Sequence, residues 1–505
     1  MKDKTIHILR YGTVAEKVHL EKALSAYDYL SINGNTAAYV SNAIAQFIVD
    51  KFFSTPEKGF FIDPITYAFQ ATPKVNSIDL LYNQKKDTGE KILKKSVEKL
   101  IEIYGEPVTK ITDGRTVSPI DFADINVFNI FCENVLNFQY SLIDQHIQQK
   151  DLAKYIKYVS KNNLPQLHPK FLIAPYFYLN ADDSEVEKWI ELNVKFIKKS
   201  IDLSRDRFNN SPVYGQLTIN KNILKNSKIM DCIISAYNNV DSKGLTIWVD
   251  DLNEHESSYE ELSSFVDLLR QLNCKTKYNM YGGYFSILLT HKKIALLNGV
   301  SHGLEYGESR KVYPVGGGLP VSKYYFRPLH KRMDFTDAFY LLNGAKIIDS
   351  SLSNWGDTKP YYDAICNCEQ CRKILHNEMI NFIEFESREF YDIKRKNQTL
   401  RRKKASSDTK QNCLYHYLLC KKGEFKLVEQ ESLAELSKQL ITQYEKYKQF
   451  SFLLKEDNLS FLPLWHSIIK QYENQGKNRL YFRCGSIQNC RFANSVGTFT
   501  IDLFD

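Results

Sequence analysis

The stretch Phe60-Phe61-Ile62-Asp63-Pro64 is a short apolar run that ends in an acid, and similar runs recur through the first 300 residues. Each run has the length of a buried β-strand, and longer stretches with apolar residues at helical spacing lie between the runs. This alternation is typical of βα units around a parallel sheet. The eight runs are residues 6–9, 29–32, 60–62, 171–174, 213–218, 245–249, 278–281 and 300–304.

Eight such units predict an α/β fold, a (β/α)8 TIM barrel over residues 1–355, with its active site at the C-terminal ends of the strands. Two further apolar runs, at 324–326 and 346–348, leave the identity of the last barrel strand open. The interval between the third and fourth runs is too long for a single crossover. The segment from about residue 70 to residue 165 is therefore predicted to form a helical insertion.

The composition is that of a soluble globular protein, since 43% of the 505 residues are hydrophobic and 25% are charged. The first residues lack the apolar segment of a secretory signal, and no run of apolar residues is long enough to span a bilayer. We therefore expect a cytoplasmic protein without a membrane partner. In that compartment the ten cysteines are expected to be reduced thiols.

The densest group of cysteines places three thiols within six residues. They stand in the string Cys366-Asn367-Cys368-Glu369-Gln370-Cys371. This spacing brings three thiolates within reach of one tetrahedral ion, usually zinc. The predicted fourth ligand is His416, with His376 as its rival, and three incidental buried cysteines are the alternative. A structural zinc at this place predicts a helical metal-binding subdomain over residues 356–450.

Much of the net charge of +8 lies in one segment, residues 394–404. Its basic residues are Lys394, Arg395, Lys396, Arg401, Arg402, Lys403 and Lys404. They predict a flexible basic loop at about 392–410 that contacts phosphates without reading sequence, although a solvated loop without a partner fits as well. The remaining residues, 451–505, are predicted to form a small C-terminal α/β extension.

Polar residues that directly follow a barrel strand point into the mouth of the barrel, where substrates bind. They include acids that follow the third, sixth and eighth runs, and each of them alone fits equally well as a helix cap or an ion-pair partner. Two carboxylates in one mouth can divide nucleophilic attack and proton transfer between them, which suits chemistry at an anomeric carbon. The candidates are Asp63, Gln216, Asp250, Asp251, Glu305 and Arg310.

A barrel followed by Cys-x-Cys-x-x-Cys and a histidine resembles the tRNA-guanine transglycosylase superfamily. These enzymes exchange guanine for a 7-deazaguanine through a covalent enzyme-ribose intermediate. Several strings are similar to the family pattern: Gly34-Asn35-Thr36, Phe61-Ile62-Asp63 with Phe69-Gln70, and Asp357-Thr358-Lys359-Pro360 before Cys366. The resemblance covers most of residues 1–420.

The resemblance implies roles for three kinds of candidate: the proton-transfer residue, the base-binding glutamine and the nucleophile. Asp63 is the expected proton-transfer residue, and Gln216 stands where a base-binding glutamine is expected. The nucleophile that attacks C1′ of the sugar is Glu305 if the run 300–304 is the eighth strand. It is Asp349 if the run 346–348 is the eighth strand. Position and side-chain chemistry, rather than the resemblance, suggest the other substrate-binding residues: Asp250, Arg310 beside Glu305, and Tyr67 or Tyr281 as a stacking ring.

The chain also departs from the family pattern. Pro64-Ile65-Thr66 replaces a Ser-Gly-Gly segment, and Trp248-Val249-Asp250-Asp251 replaces a glycine-rich strand. Such divergence resembles the branch that inserts 7-deazaguanine into DNA. The expected partners are DNA, with tRNA as the alternative, a 7-deazaguanine base, and a second copy of the chain or companion modification proteins. A catalytically inactive nucleic-acid-binding barrel and a glycosidase or nucleoside hydrolase remain open.

Overall fold

The computed structural model describes residues 4–12, 16–55, 57–71, 81–85, 88–146, 150–164, 166–304, 307–313, 321–395, 398–454 and 459–473. Their strands are β1 Ile6–Tyr11, β2 Tyr29–Asn33, β3 Gly59–Asp63, β4 Tyr82–Gln84, β5 Lys91–Leu93, β6 Leu172–Ile173, β7 Val213–Asn220, β8 Gly244–Asp250, β9 Lys277–Asn279, β10 Gly299–Gly303, β11 Tyr324–Phe326, β12 Lys331–Met333, β13 Glu389–Arg395 and β14 Gln398–Lys404. Most of the predicted extension at 451–505 lies outside the described residues.

The α-helices of the same residues alternate with the strands in the first two thirds of the chain and dominate the last third. They are α1 Lys17–Lys22, α2 Gly34–Tyr39, α3 Ser41–Phe52, α4 Lys95–Tyr104, α5 Ile125–Tyr140, α6 Lys150–Lys161, α7 Val186–Arg207, α8 Ser227–Asn238, α9 Tyr259–Gln271, α10 Tyr284–Leu288, α11 Phe335–Gly344, α12 Lys359–Ala364, α13 Glu369–Leu375, α14 Ser407–Gln430, α15 Leu433–Tyr447 and α16 Phe461–Glu473. None of these described helices is both long and apolar enough to cross a membrane.

Eight parallel strands form one barrel-like sheet in the order β3-β2-β1-β10-β9-β8-β7-β6. The two outer strands, β3 and β6, approach each other. The N–H of Lys170, just before β6, donates to the carbonyl of Phe60 in β3 at 2.9 Å. The sheet is therefore nearly closed, and each of the eight predicted apolar runs overlaps one of its strands, which confirms the parallel α/β prediction.

The structure also identifies the eighth strand of the sheet. Residues 299–303 form β10, which pairs with both β1 and β9. Residues 324–326 form β11, which among the described strands pairs only with β12, antiparallel and outside the eight-stranded sheet. Residues 346–348 follow α11 and form no strand. The alternative in which 346–348 closes the barrel is therefore wrong.

Aromatic rings fill the lower part of the barrel. The register places Tyr214 of β7 opposite Gly244 of β8, and a Cβ on Gly244 would lie 2.2 Å from the Tyr214 ring. Phe171 stacks on Tyr214 at 4.0 Å and on Phe61 at 4.4 Å between ring centroids. This packing fills the amino end of the barrel, so the C-terminal end is where a site is expected.

The insertion between β3 and β6 contains the β4–β5 hairpin and helices α4 to α6. Helix α5 begins at the N-cap Asp124, whose carboxylate accepts from two backbone N–H groups. Gln139 of α5 exchanges two hydrogen bonds of 2.8 Å with the backbone of Ile173 in β6. In α4, Tyr104 donates to the carbonyl of Pro64 at 2.9 Å. The insertion therefore supports the chain directly after Asp63.

The basic segment has a regular structure. Residues 389–395 and 398–404 form the antiparallel pair β13–β14, in which Phe390 faces Lys403 across the strands. The prediction of a flexible loop at 392–410 is corrected, because these residues form a hairpin and then the first turn of α14. The hairpin escaped prediction because its polar residues fall on both faces and give no apolar alternation.

Candidate metal centre and barrel mouth

Three cysteines and one histidine converge in the C-terminal part of the chain. The ligand atoms of Cys366, Cys368, Cys371 and His416 all lie within 4.8 Å of one another. Cys368 caps α13, where its sulfur accepts from the N–H of Cys371 at 3.4 Å. His416 is the tenth residue of α14. This mostly buried cluster can hold a metal such as zinc.

The ring of His416 is oriented for metal binding. Its Nε2 lies 2.7 Å from the carbonyl oxygen of Tyr325 in β11. Since a carbonyl can only accept, Nε2 carries a proton, and Nδ1 is the ring nitrogen left to bind a metal. That atom lies 3.2 Å from Cys371 Sγ and 3.5 Å from Cys368 Sγ. The rival His376 is exposed at the end of α13 and does not belong to the cluster.

A further thiol, Cys420, belongs to the same cluster and was missed from the sequence. Its buried Sγ lies 3.5 Å from Cys366 Sγ and 3.7 Å from His416 Nδ1. The available signal was the spacing of four residues from His416, which places both side chains on one helix face. Cys420 therefore offers a fifth donor beside a group of four, where a tetrahedral ion needs four.

We expect the zinc content to survive loss of either donor on α14 but not of both. His416→Ala and Cys420→Ser proteins should each retain about one zinc per chain, because the remaining donor completes the tetrahedron. The double variant should bind zinc at least ~10²-fold more weakly. Elemental analysis after dialysis against a graded chelator measures this difference.

Cys413→Ser is the matched control, because this buried thiol on the same helix donates to the carbonyl of Phe385 at 3.6 Å. It should leave zinc affinity unchanged. A metal-free His416→Ala protein would show that Cys420 cannot serve as a ligand.

The mouth of the barrel contains a buried ion pair. Arg10, near the end of β1, approaches Asp63, at the end of β3, with Nη2 3.0 Å from Oδ2, and both side chains are at most 3% exposed. The same Nη2 donates to Asn33 Oδ1 at 3.0 Å. Tyr176 donates its hydroxyl to Asp63 Oδ1 at 2.6 Å. Burial and the nearby carboxylate of Asp63 raise the pKa of Tyr176, so this hydroxyl keeps its proton.

The backbone around Asp63 is held in an unusual conformation. Ile65 has a φ of 48°, in the left-handed region that β-branched residues avoid. This conformation lets its N–H donate to Asp63 Oδ1 at 3.0 Å. Next to it, a Cβ on Gly34 would lie 2.7 Å from the Asp63 carbonyl oxygen, so only glycine allows this approach. Local backbone strain of about 1–3 kcal/mol persists mainly at functional sites.

Arg10 has N–H groups that take no part in its contacts with Asp63 and Asn33. Within the described residues its Nε and Nη1 atoms are buried without a hydrogen-bond partner. The guanidinium carbon lies 5.2 Å from the ring centroid of Tyr281 and 6.0 Å from that of Trp248. Leaving a buried donor unpaired costs about 1–3 kcal/mol. The mouth therefore combines aromatic faces with donors that a polar ligand can satisfy.

Three of the expected substrate-binding residues lie at this end of the barrel. Tyr67 packs edge-on against Trp248 at 5.5 Å between centroids. Arg310 donates to the Tyr281 hydroxyl at 3.2 Å. Asp250 accepts from the N–H of Val312 at 2.7 Å and from a tyrosine hydroxyl at 2.8 Å. Burial raises the pKa of Asp250 despite these hydrogen bonds.

Other expected residues lie elsewhere. Gln216 points into the barrel below the mouth, where its amide donates to Thr218 at 3.1 Å and accepts from the Thr246 hydroxyl. Asp349 lies in an exposed turn after α11 and accepts from Ser351, so the structure does not bring it to the mouth. Glu305 lies outside the described residues.

An ion pair connects the metal-binding helix to the mouth. Lys421 follows Cys420 on α14, and its fully buried Nζ lies 2.6 Å from Glu308 and 2.9 Å from Glu424. Although burial opposes it, the charges of Lys421 and His330 hold the pKa of Glu424 at about 2. Glu308 lies two residues before Arg310. The helix that carries His416 therefore also holds Glu308 near the mouth.

Arg10, Tyr176 and Trp248 were not among the expected site residues. Arg10 directly follows the apolar run 6–9, so the strand-end rule that selected Asp63 would have found it. Neither the known protein families nor the curated proteins include a match to this chain.

Proposed function

We propose that this protein is a TIM-barrel glycosyltransferase that exchanges guanine in nucleic acid, DNA rather than tRNA, for a 7-deazaguanine base. The single observation that supports it most is the mouth, where the Arg10–Asp63 pair is surrounded by tyrosine and tryptophan rings. The resemblance to the transglycosylase superfamily agrees with this reading, because the string containing Asp63 lies at the end of β3.

The mouth suits a planar heterocycle. Stacking of a base on an aromatic side chain contributes about 1–3 kcal/mol, and Tyr67, Trp248 and Tyr281 offer such rings. The unpaired N–H groups of Arg10 match the O6 acceptor that guanine and a 7-deazaguanine share. A nucleotide in a duplex must flip out to reach these groups, at a cost of a few kcal/mol that the contacts offset.

The reaction needs two carboxylate functions. A nucleophilic carboxylate oxygen bonds to C1′ while the C1′–N9 bond breaks. The departing guanine keeps the electron pair of that bond and accepts a proton from an acid. The incoming base then loses its N9 proton to the same group, bonds to C1′ and releases the carboxylate. We assign the proton transfer to Asp63 and the attack to Glu305, which follows β10.

Asp250 is the alternative in either role, because it lies at the mouth and burial raises its pKa. The exposed position of Asp349 speaks against its role as nucleophile. A structural zinc bound by Cys366, Cys368, Cys371 and His416 would fix α14 against the barrel, and no step passes through it.

A second function has one observation in its favour. The carboxylate of Asp63 is already engaged by Arg10, Tyr176 and the N–H of Ile65. Such saturation also fits a structural aspartate in a barrel that binds a nucleobase without exchanging it. A covalent intermediate exists only in the first case, so it separates the two functions.

We expect that denaturing the protein shortly after mixing with guanine-containing DNA traps a covalent adduct. Peptide mapping should place it on Glu305, and Glu305→Gln should abolish it. Asp349→Asn is the matched control and should form the adduct normally, because this side chain is exposed outside the mouth. If the metal-loaded wild-type protein forms no adduct, the binding-only function is favoured, and an adduct on Asp250 moves the nucleophile there.

A further inference from the structure

The basic hairpin, β13 and β14, projects from the metal-binding part of the chain. In the sequence it lies between Cys371 and His416. At its base, Thr409 of α14 donates to the carbonyl of Glu386 at 3.3 Å, and Lys403 pairs with the carboxylate of Glu386. The helix that carries His416 therefore also fixes the base of the hairpin.

The charge of the hairpin is strongly positive. Its seven lysines and arginines stand against two acids, Glu389 and Asp392, so residues 389–404 carry +5 of the net charge of +8. Among the described residues, no carboxylate lies within ion-pair distance of three of its exposed cations. These are Lys394, Arg401 and Arg402.

The hairpin has the shape of an isolated ribbon. It consists of two strands whose side chains are mostly exposed on both faces. Arg401 stacks over Phe390 at 4.8 Å from the ring centroid, and that ring is 49% exposed. Two paired strands lie about 4.8 Å apart, whereas the major groove of B-DNA is about 12 Å wide and admits a two-stranded ribbon.

We propose that the basic hairpin inserts into the major groove of duplex DNA, with Lys394, Arg401 and Arg402 on the phosphates that border the groove. This inference deepens the proposed function, on which it rests, by naming the polymer and the groove. The major groove of an A-form RNA duplex is too deep and narrow for such a ribbon. The hairpin therefore selects DNA over double-stranded RNA.

The test measures how the affinity of the full-length protein for a guanine-containing DNA duplex depends on salt. Log affinity falls with log salt, and each phosphate contact contributes about 0.9 to the steepness of that fall. K394S/R401S/R402S should therefore make the slope less steep by roughly 3. The control carries the same charge change in K243S/K275S/K292S, three exposed lysines in the loops before β8, β9 and β10. Its slope should equal that of the wild type.

Methylation of guanine N7 by dimethyl sulfate tests the groove, since N7 lies in the major groove. The wild-type protein should protect N7 within its footprint, and the triple variant should not. Unprotected N7, or an equal loss of slope on an RNA duplex of the same sequence, would overturn the inference. These measurements need no 7-deazaguanine, so a protein that binds in this way but releases no guanine would refute only the proposed function.

Discussion

Asp63→Asn is expected to slow guanine exchange by about 10²–10⁴-fold, because the substituted amide cannot carry the proton. It should also destabilise the protein by about 3–5 kcal/mol, because Arg10 would be left buried with its charge unpaired. Arg10 and Asp63 are at most 3% exposed, so solvent cannot replace the lost partner. Denaturant unfolding and the rate of guanine release measure the two effects separately.

The double variant Arg10→Met/Asp63→Asn serves as the control for stability. Removing both charges should recover most of the lost stability, since replacing a buried pair by uncharged groups is often nearly neutral. Exchange should be at least as slow as in Asp63→Asn, because Arg10→Met also removes the proposed contact with the base. An Asp63→Asn protein that exchanges guanine at the wild-type rate would remove this residue from the chemistry.

Loss of two metal ligands should have the largest structural effect. Cys366→Ser/Cys371→Ser is expected to lose its zinc and to expose the backbone of α13 and α14 to hydrogen exchange. Zinc binding at such sites contributes about 10–16 kcal/mol of apparent free energy, which is also folding free energy. Because Lys421 of α14 pairs with Glu308, guanine exchange should fall as well.

Cys132→Ser is the matched control, because Cys132 is a buried thiol of α5 far along the chain from the metal centre. It should retain zinc and normal protection of α14. If the metal-free double variant protected α13 and α14 as well as the wild type does, the metal centre would not hold this part of the fold together.

The barrel-like sheet could be predicted because each buried strand is a short apolar run that needs no knowledge of its neighbours. The run 346–348 looked like a strand for the same reason. In the structure it follows Gly344, the last residue of α11. A Cβ on Gly344 would lie 2.8 Å from the ring of Phe450, so the helix end packs closely there. Periodicity over three residues cannot distinguish a strand from the turn that ends a helix.

The candidate metal site was predictable from spacing because three of its four residues are local in sequence. Cys420 was missed because its place in the cluster depends on the helix that also carries His416. The Arg10–Asp63 pair joins residues 53 positions apart, so it appears only when β1 and β3 lie in one sheet. Asp63 itself was found because a strand end is a local feature.

Release of labelled guanine tests the central claim most directly. The metal-loaded wild-type protein is incubated with duplex DNA or with tRNA, each labelled in guanine, in the presence of a candidate 7-deazaguanine base. Base exchange at the mouth predicts release of label from DNA, little release from tRNA, and release from DNA that is about 10²–10⁴-fold slower with Asp63→Asn. No release from either polymer across a panel of 7-deazaguanines, by a protein that is folded and binds DNA, would contradict the claim.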